Sequence, residues 1–252
     1  MTARFVTTPA VILKGSDYSE TSRLVAAFAR ELGKVRFLAK GARRKKSPFG
    51  GLLEPLSRLE LVLIPGRSGL HTLKECAALG EASAVRSDLD RLSAALFVLA
   101  LVDETQIEDD PQPAVFDLLV SVLDRLETTA NLSAVLFAFQ LRLIELSGYR
   151  LDLARCAADE AALGTTAFYS AAHKGLLCRA CASGLKVRQV SPGALGVLRR
   201  LDEVALDGAE RIALSSAQTT ELARLFDLVF ETVLEKKLAV TALIRKLAAP
   251  RA

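Results

Sequence analysis

Between residues 80 and 87 the apolar pattern of this chain changes from strand-like alternation to a helical stripe, and one layer of secondary structure cannot satisfy both. Before the change, Lys34 to Lys40 sets Val35, Phe37 and Ala39 against Arg36, Leu38 and Lys40. Leu56 to Ile64 sets Leu59, Leu61 and Leu63 against Arg58, Glu60 and Val62. Ala10 to Leu13 is apolar and β-branched, Arg23 to Ala29 fits strand or helix, and Leu70 to Leu79 fits a last strand. Gly15-Ser16-Asp17, Gly33, Gly50-Gly51, Pro65-Gly66 and Gly69 supply the turns. About five short strands in this space predict a small closed or partly open barrel.

After the change, Ser87 and Asp90 suggest a capping box, followed by the stripe Leu89, Leu92, Leu96 and Leu99. Pro111 and Pro113 restart the chain, and Phe116, Leu119, Val120 and Leu123 form a second stripe. Asn131 or Ser133 caps a third helix that stops at Gly148. A Cys-containing loop region runs to about Gly184, Ser191-Pro192 opens another helix, and Thr219 or Thr220 opens the last. The expected domains are residues 1–82 and 83–252, the second with a Cys-containing insertion at about 150–185.

Of 252 residues, 51% are hydrophobic and 25% charged, enough apolar surface for a folded core. No apolar run reaches the length of a membrane helix and no signal region opens the chain, so a soluble cytoplasmic protein is expected. The net charge of +4 conceals a strong asymmetry. Residues 1–80 carry 14 Lys/Arg against 6 Asp/Glu, whereas residues 81–149 carry 4 against 12. A basic head points to a polyanion partner.

The densest positive charge is Gly33 to Lys46: Lys34, Arg36, Lys40, Arg43, Arg44, Lys45 and Lys46, with no acid among them. Closely spaced phosphates need such a row of fixed cations, which marks these seven as DNA-binding candidates. Phe37 or Phe49 offers a base-stacking surface if exposed; core packing is the alternative. No catalytic residue is assigned. The two histidines, His71 and His173, fall in different domains, and nucleophile-elbow, P-loop and zinc-protease motifs are missing. Asp103, Glu104, Glu108, Asp109 and Asp110 are expected to form a solvated helix end and loop, suited to folding against the basic head or meeting a protein, rather than a nuclease centre. Three of four cysteines, Cys156, Cys178 and Cys181, lie within 26 residues and suggest a metal site, while Cys76 reads as a strand residue.

The stretch Gly15 to Leu61 closely resembles the bacterial RecO family of DNA repair proteins. Tyr18, Glu20, Arg23 and Leu24, then Gly33-Lys34, Ala39-Lys40-Gly41-Ala42-Arg43, and Ser47, Leu52 and Pro55 carry the resemblance. The helical pattern, Gly148-Tyr149 and the late Cys-x-x-Cys extend it over nearly the whole chain. The resemblance implies an α+β multidomain protein: an N-terminal oligonucleotide-binding (OB) fold β-barrel, then a C-terminal all-helical domain with a zinc-binding insertion. It also implies a non-enzymatic recombination mediator that binds single- and double-stranded DNA and anneals complementary strands. With RecR and the C-terminal tail of single-stranded DNA-binding protein (SSB), such a mediator helps load RecA, so a nucleoid-associated protein is expected. A protein-interaction adaptor with incidental DNA contact is the alternative.

The family's zinc pattern is two Cys-x-x-Cys pairs. Here Cys178-Arg179-Ala180-Cys181 is intact, but the first half reads Cys156-Ala157-Ala158-Asp159. One structural Zn2+ would therefore take Cys156, Cys178 and Cys181, with Asp159 as fourth ligand and His173 as its rival. The alternative is a degenerate, metal-free site. Arg199 and Arg200 are candidates for the acidic, apolar SSB tail. Lys236-Lys237 and Arg245-Lys246 join them as candidates for a second DNA surface.

Overall fold

Five strands occupy the alternating region: β1 (Val6–Asp17), β2 (Arg23–Ala29), β3 (Gly33–Ala39), β4 (Arg58–Ile64) and β5 (Leu70–Gly80). The structure is a computed structural model describing residues 5–66, 69–80 and 83–236. The strands close into a barrel of order β1-β2-β3-β5-β4, with β3 and β5 parallel and the other pairs antiparallel. Closure leaves no unpaired edge and gives the OB-like architecture that the family resemblance implied. β1 is longer than its apolar segment because polar Thr7, Thr8 and Lys14–Asp17 pair with β4 or β2.

Alternation decides what enters the barrel. Val25, Ala27, Ala29, Val35, Phe37, Ala39, Leu59, Leu61 and Leu63 fill it, and Phe49 and Leu53 from the β3–β4 connection complete the packing. Phe37 is fully buried and Phe49 is 8% exposed, so neither offers a ring to a base. Half-buried Cys76 packs against this core as a strand residue, and burial raises the pKa of its thiol.

The helices begin with α1 (Ser83–Ser87), α2 (Leu89–Thr105) and α3 (Pro113–Thr128). The cap of α2 is Asp88 rather than Ser87. Its carboxylate accepts from the Asp90 and Arg91 amides, while the Ser87 hydroxyl donates back to Ala84. By compactness the chain divides into units 1–123 and 124–252. α2 and the start of α3 thus fall with the barrel, and Phe28 on the barrel's outside meets Phe116 of α3 with ring centres 6.4 Å apart.

In the second unit, α4 (Leu132–Leu146) is capped by Asn131, α6 (Pro192–Glu203) by Ser191 and α7 (Ser216–Leu234) by Ser215. The last helix therefore starts earlier than Thr219. Ser215 and Gln218 form a full capping box, but the apolar stripe becomes readable only at Leu222. Phe137 of α4 stacks on Phe226 of α7 at 5.6 Å. The insertion is more than a loop. β6 (Ala167–Ser170), β7 (Gly175–Leu177) and β8 (Arg188–Val190) make an antiparallel sheet of order β7-β6-β8, and α5 (Arg179–Ala182) follows β7. Strands of three or four residues are too short to show an alternation. No helix among the described residues is long and apolar enough to cross a membrane.

Candidate nucleic-acid interface

The seven basic candidates divide into two groups. Lys34 and Arg36 lie on β3 and point outward, where they meet the acidic segment after α2. The Lys34 ammonium donates to the Asp103 carbonyl at 2.6 Å and lies 3.6 Å from the Asp103 carboxylate. Lys14 reaches the same carboxylate at 2.5 Å. Arg36 pairs with Glu108 at 2.8 Å, and His71 lies 3.7 Å from Asp109. The Asp109 amide donates to the Lys34 carbonyl, which fastens the loop to the strand. Three of the five clustered acids thus fold against the basic head rather than standing free in solvent.

Gly33 makes this docking possible. Its φ is +72°, and a Cβ there would lie 2.0 Å from the Asp110 carbonyl oxygen. A side chain would clash with backbone as well as strain its own dihedral.

The second group is Lys40, Arg43, Arg44, Lys45 and Lys46, all exposed in the turns after β3. Arg43 is tied to the β1–β2 turn. Its amide donates to Thr21, its guanidinium donates to Ser19 at 2.8 Å, and Asp17 lies 3.2 Å away. Lys40, Arg44, Lys45 and Lys46 have no ion pair among the described residues. A partly buried pair between Arg23 and Glu54, 2.5 Å apart, braces the long β3–β4 connection from below. The result is an exposed basic loop on a rigid barrel.

In the second unit, Cys156, Asp159, Cys178 and Cys181 place one ligand atom each within 4.8 Å of the others. Two tight turns build the group. In the first, the Glu160 amide returns to Cys156 and the Ala161 amide donates to Asp159. In the second, Cys178 caps α5 and its sulfur accepts from the Cys181 amide. The Ala157 amide donates to Leu176, which ties the first turn to β7. A hydrogen bond from the Cys156 thiol is the main reason that the Asp159 carboxyl titrates at about 2. That carboxylate pushes Cys181 up to about 12, whereas the Cys181 amide lowers Cys178. Three sulfurs and one carboxylate converging in this way suit a tetrahedral cation such as zinc. His173 is not in the group; its Nδ1 lies 2.9 Å from the Ser170 hydroxyl in the β6–β7 turn.

Arg199 turns inward within the same unit. Its Nε donates to Leu153 and its Nη2 to Leu163 and Gly164, so it holds the chain on both sides of the first Cys turn. Arg200 is exposed. Lys236 already has an interaction, and Lys237, Arg245 and Lys246 lie outside the described residues.

A closed five-stranded barrel with an exposed basic loop, followed by a helical unit with a Cys/Asp cluster, defines a two-part protein of the OB class. The model described as "Recombination protein O N terminal" matches residues 1–81, and "Recombination protein O C terminal" matches residues 86–242. A DNA repair protein RecO from Desulforamulus reducens is 30% identical over 94% of this chain and 93% of its own length. Those of Geobacter metallireducens and Salinibacter ruber are 31% and 34% identical, over 95% and 87% of this chain and 97% and 85% of theirs. The chain belongs to the RecO family of DNA repair proteins.

Proposed function

We propose that this protein is a non-enzymatic mediator of DNA repair and recombination that binds single- and double-stranded DNA and anneals complementary strands. The observation that carries the reading is the exposed basic loop, Lys40 and Arg43 to Lys46, beside a strand on which Lys34 is paired with Asp103 and Arg36 with Glu108. Fixed cations replace the counterions of a phosphate backbone and weaken the repulsion between two strands. Holding both strands on one protein raises their effective concentration, so pairing speeds up without any bond chemistry. Lys34 and Arg36 support the loop by anchoring β3 rather than by meeting phosphate.

In this reading the helical unit meets protein partners. The protein works with RecR and with the acidic C-terminal tail of SSB, and acts on RecA indirectly, at the nucleoid. Arg200 is the tail's cation, and Arg199 holds the backbone beside it. Arg200→Ala lowers affinity for a tail peptide; unchanged affinity removes Arg200 from that role. Cys156, Asp159, Cys178 and Cys181 hold one structural Zn2+, which would cross-link the two turns of the insertion.

The test is the annealing rate of two labelled complementary oligonucleotides across a salt series. The protein accelerates annealing, the acceleration falls steeply with salt, and changing Arg43, Arg44, Lys45 and Lys46 together to Glu abolishes it. A folded protein with no acceleration at low salt contradicts the annealing reading and favours an adaptor with incidental DNA contact.

A further inference from the structure

We propose that Tyr18 is a base-stacking residue and that it makes the barrel's site selective for unpaired over paired DNA; this rests on the DNA-binding reading above. Tyr18 is 61% exposed at the tip of the β1–β2 turn. Its backbone is fixed even though its ring is in water: the Tyr18 and Ser19 amides both donate to the Ser22 carbonyl. The turn is also joined to the basic loop, because Arg43 contacts Asp17 and Ser19, the neighbours of Tyr18 on both sides, and Thr21 further along the turn. An aromatic ring that stands in solvent on a fixed backbone beside a row of cations adds little to the core, yet it is the arrangement that single-strand sites use.

The surface around it narrows the choice. On the outside of β2 and β3, Phe28 is covered by Phe116, Lys34 by Asp103 and Arg36 by Glu108. The outward pair at the other end, Leu24 opposite Leu38, is only half buried, and it lies on the strand ends that lead to Tyr18 and Lys40. An unpaired base has an apolar face to lay on such a platform; in a duplex both faces are already stacked. A phosphate of the same strand would take the place of Asp17 on Arg43, whose bonds to Ser19 and Thr21 hold it in position. The site would then grip separate strands and loosen once they have paired, which lets the annealed product leave.

The chain contains no tryptophan, so Tyr18→Trp creates a single reporter at this position. Its fluorescence is expected to be quenched by an oligodeoxythymidylate and not by a blunt duplex of equal length. Tyr18→Ala is expected to weaken single-strand binding by about 5- to 150-fold and duplex binding by less than twofold, with Tyr18→Phe restoring the former. The side chain is in solvent, so these variants keep the fold. Single-strand affinity of Tyr18→Ala equal to wild type, or an equal loss for single strand and duplex, overturns the proposal. If the Arg43–Lys46 reversal abolishes all binding while Tyr18→Ala binds single strands normally, the DNA-binding reading stands and the stacking assignment falls. If wild type binds neither form, both fall.

Discussion

Lys34 and Asp103, 69 residues apart in the chain, meet through both main chain and side chain: the ammonium donates to the Asp103 carbonyl at 2.6 Å and sits 3.6 Å from its carboxylate. Their side chains are 15% and 14% exposed. A cation so shielded and already satisfied is part of the fold. The most basic stretch of the sequence is therefore divided: Lys34 is held within the fold, whereas Lys40 and Arg43 to Lys46 stand exposed.

This division predicts opposite phenotypes within one motif. Lys34→Gln leaves Asp103 with Lys14 alone and its carbonyl without the ammonium. It should lower stability by about 1–3 kcal/mol, as read by denaturant unfolding, with DNA affinity of the folded protein close to wild type. Lys45→Gln should leave stability within about 0.5 kcal/mol and weaken DNA binding. An unfolding midpoint for Lys34→Gln equal to that of wild type would show that the contact is not structural.

Gly33→Ala puts a methyl group against the Asp110 carbonyl and forces a non-glycine residue to a φ of +72°. The left-handed backbone alone costs about 1–3 kcal/mol, before the clash is relieved. We expect a lower melting temperature and faster hydrogen exchange at the Asp109 amide, whose bond to Lys34 holds the loop. Glycine at position 66 stands in a similarly close contact, with a Cβ there 1.8 Å from the Leu70 carbonyl oxygen, and serves as the positive control.

The proposed zinc site at the Cys/Asp cluster predicts ligand-specific changes in affinity, read by competition with a chromophoric zinc chelator. Cys178→Ser and Asp159→Ala should weaken zinc binding by at least about 10–100-fold. Asp159→Cys should tighten it by supplying a softer donor, and His173→Ala should leave it unchanged. Affinity lost in His173→Ala but kept in Asp159→Ala would reverse the choice of fourth ligand.

Acid should release the link between β2's end and α3. Two bonds from Arg30, each 3.0 Å, hold the Asp117 carboxyl below the ordinary carboxylate range. A carboxyl with a depressed folded pKa stabilises fully above its unfolded value, and the gain is lost as pH falls through the depressed one. Asp117→Asn should therefore be less stable than wild type at neutral pH, and the two should converge below about pH 4. The difference is small because both side chains are largely in water. A difference that is constant with pH would contradict the ionic account.

Sequence patterns carried much of this architecture. The alternation in Lys34 to Lys40 and in Leu59 to Leu63 is the barrel interior, and Asn131 and Ser191 cap the helices that they were expected to open. Cys156, Cys178 and Cys181 meet as their spacing suggested, and Asp159 joins them at the place of the family pattern's fourth cysteine. The partners of Lys34 and Arg36 were not legible. Charge counts show a basic head and an acidic middle, but pairing over 69 and 72 residues depends on how α2 packs. The carbonyl contacts of Arg199 were not legible for the same reason: nothing local distinguishes an arginine that binds backbone carbonyls from its exposed neighbour Arg200. Tyr18 was visible as part of the family motif, but its significance needs the exposure and the contacts of Arg43 that only the fold supplies.

The central claim is that phosphate meets Arg43 to Lys46 and not Lys34. The slope of log affinity against log salt for a single-stranded oligonucleotide tests it most directly, because each phosphate contact adds roughly 0.7 to that slope. Changing Arg43, Arg44, Lys45 and Lys46 together to Ala should flatten the slope by about 3, while Lys34→Gln leaves it as in wild type. An unchanged slope in the fourfold variant, or a loss in Lys34→Gln as large as that of a loop residue, would contradict the account.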